Sequence, residues 1–278
     1  MTEKKLFINN HRETAHYSCL LFAPIFMPIA KGSARKYIKI NELKRTKLEN
    51  ISYNGEQLDI NLDFKLYSLI ASRVQQQQST KISFTERQLI VLGLKRKLES
   101  QLKQKVENRL GALQKAQFQI NRFDEHGNKL TGRYTSLIKS FDWNYRKKQI
   151  NIEVDEDLAN LSVSYYSKEK IYIDIVNQLR TDHEKALFLY LETRKFKGNK
   201  KGVNHNFDYL ISRVAPNYKS KNDQRKALLK AIKSLSTIGY INTYSLNKTE
   251  MEDSEYFTIL VNHDFVDTNR VRDSLCDH

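Results

Sequence analysis

The stretch KSKNDQRKALLKAIK (219–233) threads six Lys or Arg residues through an apolar run. A guanidinium such as that of Arg225 matches the O6 and N7 acceptors of guanine in bidentate fashion, and the amides of Asn222 or Gln224 match adenine. Lysines such as Lys219, Lys221, Lys226, Lys230 and Lys233 suit phosphate contacts, which position a protein without specifying sequence. A second stretch, KRKLESQLKQKVENRLGALQK (95–115), repeats the pattern with Lys95, Arg96, Lys97, Lys103, Lys105, Arg109 and Lys115.

Other chemistry finds little support. Gly127-Asn-Lys-Leu-Thr-Gly132-Arg133 approximates a phosphate-loop spacing but lacks the following Lys and Ser/Thr, and it reads as a hairpin. No His-apolar-His pair is present, and His183 reads as a surface residue at a helix start. The Tyr pair in SYYS (164–167) reads as domain-junction packing rather than as a nucleophile. Cys19 and Cys276 are too few for a zinc site or a disulfide framework. The expectation is a protein that is not an enzyme and has neither metal nor cofactor.

The charge is unevenly placed. The net charge is +15, but from Glu250 onward eight acids face two bases, so residues 1–249 carry +21. Such a field attracts polyanions. The longest apolar run, CLLFAPIFMPIA (19–30), is broken by Pro24 and Pro28 and is too short to span a membrane. It also follows a polar start, unlike a signal peptide. These features predict a cytoplasmic protein with no membrane partner.

The elements that would position the cations recur twice. DFKLYSLIASRVQQQQ (63–78) is expected to be a helix capped by Asp63, KISF a short strand, and TERQLIVLGL (85–94) a short helix opened by the Thr85/Gln88 capping-box spacing. A long basic helix over about 96–115 follows. Two strands, AQFQINRFDE and LTGRYTSLIKSF, then flank the turn His126-Gly127-Asn128 and make Lys129 and Arg133 part of a wing. Upstream, ISYNGEQLDINL alternates and carries an Asn54-Gly55 turn. In the second half, RTDHEKALFLYLETRKF opens with Thr181 and Glu184 at capping-box spacing. VNHNFDYLISRV is strand then helix, the segment 219–241 holds the long basic helix, and GYINTYSL and SEYFTILV are strands.

The halves align residue by residue. At an offset of 121, Leu66, Leu69, Ile70, Ile82, Leu89 and Ile90 meet Leu187, Tyr190, Leu191, Val203, Leu210 and Ile211. At 122, Val106, Leu110, Leu113 and Phe118 meet Leu228, Ile232, Leu235 and Tyr240. On a helical wheel, Leu228, Leu229, Ile232 and Leu235 form the packed arc, with Lys226, Lys230 and Lys233 beyond it. The fold expected is α+β, a tandem pair of winged-helix domains, each a helix-turn-helix with a β-hairpin wing. The predicted division is an N-terminal extension (1–50), a first winged helix (51–160), a second (161–265) and an acidic tail (266–278). The basic stretch 31–47 reads either as a DNA-contacting arm or as a simple extension.

LLFAPIF, GEQLDINLDFKLYSLIA and ALLKAIKSLSTIGYI, in this order around two winged-helix units, resemble the plasmid replication initiator (Rep) proteins, and among them the RepC-type initiators of IncQ-like plasmids, over about residues 20–262. The resemblance implies sequence-specific binding of double-stranded DNA at repeated origin sequences (iterons). It also implies a homodimer and recruitment of a replicative helicase or host initiator, with no catalytic residue. A winged-helix transcriptional repressor and a rolling-circle nicking enzyme are the alternatives.

Overall fold

The computed structural model describes residues 13–17, 25–29, 32–45, 49–94, 97–155, 168–195, 201–248 and 255–265. Two compact units emerge, the first within residues 1–26 and 31–173, the second within 27–30 and 174–278. The division falls at 173/174 rather than 160/161. No helix among the described residues is long and apolar enough to cross a membrane.

The first unit holds β1 (Glu13–Tyr17), β2 (Phe26–Met27), β3 (Tyr37–Arg45), β4 (Glu49–Glu56), β5 (Leu58–Asp59), α1 (Leu62–Gln77), β6 (Lys81–Thr85), the π-helical α2 (Arg87–Gly93) and α3 (Ser100–Lys115). Strands β7 (Gln117–Phe123), β8 (Lys129–Ser136), β9 (Ser140–Asn144), β10 (Gln149–Glu153) and β11 (Lys168–Tyr172) complete it. The second follows with α4 (Ile173–Gln178), α5 (Asp182–Glu192), β12 (Val203–Asn206), α6 (Phe207–Val214), α7 (Lys221–Thr237), β13 (Ile241–Lys248) and β14 (Glu255–Val261).

Each unit is a winged helix. In the second, the sheet order is β12-β14-β13, so the strand before the helix-turn-helix lies beside the return strand of the hairpin. In the first, the equivalent order is β6-β10-β9. The wing of the first unit is therefore β9–β10, and the expected wing at 117–136 is corrected. Strands β7 and β8 do form the hairpin read from the sequence, with the Asp124 carboxylate accepting from the amides of His126 (2.9 Å) and Asn128 (2.8 Å). They join a different sheet, β3-β4-β7-β8. Chain between α3 and the wing thus interrupts the repeat. Before the interruption it is close: of the nine aligned pairs there, seven are buried in both units, with Leu69 and Val203 half-buried, and the tenth pair, Phe118 on β7 with Tyr240, is buried in both.

The same sheet decides the N-terminal question. Residues 37–45 pair with β4, so this part of the stretch read as arm or extension is an edge strand of the first unit. Strand β4 runs straight through Asn54-Gly55, where a turn was expected, because both its neighbours β3 and β7 hydrogen-bond it there.

Local signals worked where the bonds are short-range. Thr181 and Glu184 form the expected capping box at α5, with Glu184 N–H donating to Thr181 Oγ1 at 3.2 Å. Thr85 and Gln88 exchange the reciprocal bonds at 2.9 and 3.1 Å. Asp63, by contrast, is not a cap. Asp59 accepts from the amides of Asn61 and Leu62 at 2.6 and 2.8 Å, while Asp63 is buried and holds Arg35 Nη2 at 2.6 Å. The long helix starts at Ser100 rather than near 96. Helix α7 ends at Gly239 (φ 83°), where Gly239 N–H bonds Ser236 O and Tyr240 N–H bonds Leu235 O, both at 3.0 Å. That left-handed residue favours glycine and turns Tyr240 into the core.

Candidate nucleic-acid interface

Helix α7 buries Leu228, Ala231, Ile232 and Leu235. Leu229, expected in this arc, is exposed, and Ala231 takes its place because the packed face is centred nearer 232. The face beyond is cationic as expected, with Lys226, Lys230 and Lys233 all exposed. Lys219 and Asn222 are exposed near the helix start, and Gln224 is half-buried. Two contacts here are exposed and worth little. Lys221 Nζ lies 2.8 Å from Asp208, and Lys226 Nζ 4.0 Å from Asp223. Phosphate can replace either.

Arg225 sits differently. Its Nη1 donates to both carboxylate oxygens of Glu255, at 3.3 and 3.0 Å, and its guanidinium lies 5.2 Å from the Phe207 ring centroid. The residue expected to read guanine is engaged by the hairpin and by the first residue of α6. His183, expected at the surface, is half-buried with its ring 5.6 Å from that of Tyr218, and burial pushes its pKa down.

In the first unit, Lys95 and Arg96 lie outside the described residues. Lys97 precedes the helix and is exposed, as are Lys105 and Lys115. Lys103 is held by Glu86 at 2.7 Å, and Glu86 also accepts from Trp143 Nε1 at 3.0 Å. Burial pushes the Glu86 carboxyl up. The bonds from Lys103 and Trp143, with the Lys148 ammonium adding, outweigh this and hold it below the usual carboxylate range. Arg109 turns inward, its Nε 3.7 Å from buried Asp63. Lys129 and Arg133 are on β8 rather than on a wing, and Arg133 is paired with Asp155.

Sequence reasoning missed the tip of the true wing. Tyr145, Arg146, Lys147 and Lys148 form the β9–β10 turn, and all are exposed. Tyr145 stacks on Trp143 (5.6 Å between centroids) and donates to Glu107 on α3 at 2.5 Å. Three adjacent cations are thereby held beside the third helix. The signal was present: two alternating runs, SFDWN and QINIE, flank YRKK. The SYYS segment and the acidic tail lie outside the described residues.

The arrangement defines a tandem winged-helix protein with basic third helices in both units. No protein-family model matches the chain, and no curated protein sequence matches it. The fold resembles the crystal structure of domains 2 and 3 of RctB, with a TM-score of 0.51 and 11% identity over 84% of this chain and 94% of that one. A second RctB structure, spanning its residues 155–483, gives 0.49 and 10% over 87% and 98%. At such identity the likeness is one of fold.

Proposed function

We propose that the chain is a replication initiator that binds specific double-stranded DNA through both winged-helix units. The observation that carries the reading is the recurrence of a basic third helix in two repeated units, with Lys226, Lys230 and Lys233 exposed on α7, Lys105 and Lys115 exposed on α3 and Lys97 exposed just before it. Recognition helices occupy the third-helix slot. The likeness of fold to RctB, the replication initiator of Vibrio chromosome II, supports the role. So does the net charge of +15.

On this reading the targets are direct repeats at a plasmid-type origin, bound in the cytoplasm. The chain acts by binding rather than by catalysis, with a homodimer and a helicase or host initiator as partners. Footprinting on the native replicon tests it. Protection of several direct repeats is the expected result. Protection of one palindrome over a promoter would replace the initiator with a repressor, and a covalent tyrosine–DNA adduct would replace it with a nickase.

A further inference from the structure

We infer that Arg225 and Glu255 form a latch that positions the reading surface of the second unit. The inference rests on the DNA-binding reading above and reassigns Arg225 within it. Glu255 opens β14, and Phe207 opens α6. The guanidinium between them ties the first turns of α7 to both the hairpin and the preceding helix. Arg225 is about one-third exposed and the Glu255 side chain 18%, so the pair is shielded more than the flanking Lys221–Asp208 contact, whose two partners are each about two-thirds exposed.

The other unit repeats the device with different chemistry. Lys103 occupies the slot of Arg225, one acid (Glu86) receives it, and an aromatic from the wing sheet (Trp143) completes the set. In both units the helix is bonded to an acid of its own domain at this turn; the aromatic touches the cation itself in the second unit and the acid in the first. The planar guanidinium lays a flat face over Phe207 while its Nη1 reaches both oxygens of Glu255; an ammonium is a point charge without that face. Arg225 is thus a positioning residue, and the bases are left to Asn222, with the exposed lysines on the phosphates.

The acid distinguishes the alternatives. Removing Glu255 takes a negative charge away from a DNA-binding surface, so electrostatics alone predicts tighter binding. A latch predicts the reverse for the specific site. Full-length Glu255→Gln, Arg225→Ala, Arg225→Lys and the Glu255→Gln/Arg225→Ala pair are compared on one origin repeat and one scrambled duplex at matched salt. Hydrogen exchange over 241–248 and 255–261 is followed without DNA.

The expected result is that each single variant weakens the specific duplex about three- to tenfold, the scale of a charge-assisted hydrogen bond. Random duplex should change less, the double variant should be no worse than either single, and exchange in the hairpin should rise. Arg225→Lys should fail to restore specificity. If Glu255→Gln binds the specific duplex as well as or better than wild type, or if exchange is unchanged, the latch is wrong. Failure of wild type to bind any duplex would sink the proposed function instead, and the exchange data alone would then judge the latch.

Discussion

The two winged-helix units solve the same problem with different wings. Both pack a third helix through equivalent residues, Val106, Leu110 and Leu113 in one and Leu228, Ile232 and Leu235 in the other. Both spend basic residues of that helix on acids of the same unit, Lys103 and Arg109 in the first and Arg225 and Lys221 in the second. The first unit then presents Arg146-Lys147-Lys148 on a four-residue turn braced to α3 by Tyr145. The corresponding connection in the second unit, TEMEDS (249–254), carries three acids and no base and lies outside the described residues. Equivalent helix-turn-helix scaffolds therefore carry opposite charge at the wing. On the proposed function, the first unit grips with helix and wing, and the second relies on its helix.

The packing half of this comparison is the costliest to disturb. Leu110→Ala and Ile232→Ala each remove a fully buried side chain from the equivalent slot, and each should cost about 2–5 kcal/mol. Denaturant unfolding measures the total, and hydrogen exchange should place each loss in the unit that carries the change. A much smaller cost in one unit would show that the two slots are not equivalent.

The wings provide the next test. Replacing Arg146, Lys147 and Lys148 together with Ala should lower the log–log salt slope of duplex binding by roughly three units, about one for each phosphate contact. The slope of the intact chain is expected near −6 to −10, roughly −0.9 per phosphate neutralised. An unchanged slope would remove the first wing from the interface.

Acid should act on the two units with opposite signs. Burial pushes Asp63 up to about 6, against the lowering effect of the Arg35 guanidinium. Burial, with the charge of Arg194 adding, pushes His205 down from 6.5 to about 4. Between about pH 6 and 4 the native first unit keeps a proton on Asp63 that the unfolded chain releases, so this group stabilises the unit as pH falls. Between 6.5 and 4 the unfolded chain protonates His205 and the native second unit does not, so stability there is lost as pH falls. For His205 the loss should reach about 2 kcal/mol by pH 5. Exchange at pH 7 and pH 5, corrected for intrinsic rates, should show protection moving toward the first unit. His205→Gln should flatten the response of the second.

The smallest effect separates one lysine from the rest. Lys230→Ala should weaken specific and random duplex about equally and reduce the salt slope by about one unit. Loss confined to the specific duplex would move Lys230 from the phosphates to the bases.

Much of this molecule was legible before its fold. The 121/122 offset located both third helices, because apolar residues at helical spacing record which face a helix must bury. The capping boxes Thr181/Glu184 and Thr85/Gln88 were legible because their bonds close within three residues. The basic face of α7 could be read for the same reason: position on a wheel follows from sequence alone.

Pairing between distant segments was not legible. Nothing local distinguishes β7–β8 from β9–β10 as the wing; the choice is made by whether β6 hydrogen-bonds to 149–153, more than sixty residues away along the chain. The inward turn of Arg109 needs Asp63, and the engagement of Arg225 needs Glu255 and Phe207. Sequence determined that this chain carries two basic, amphipathic helices in repeated settings. Tertiary structure decided which of their cations remain exposed, because a guanidinium or ammonium goes to whichever carboxylate the fold brings within hydrogen-bonding reach.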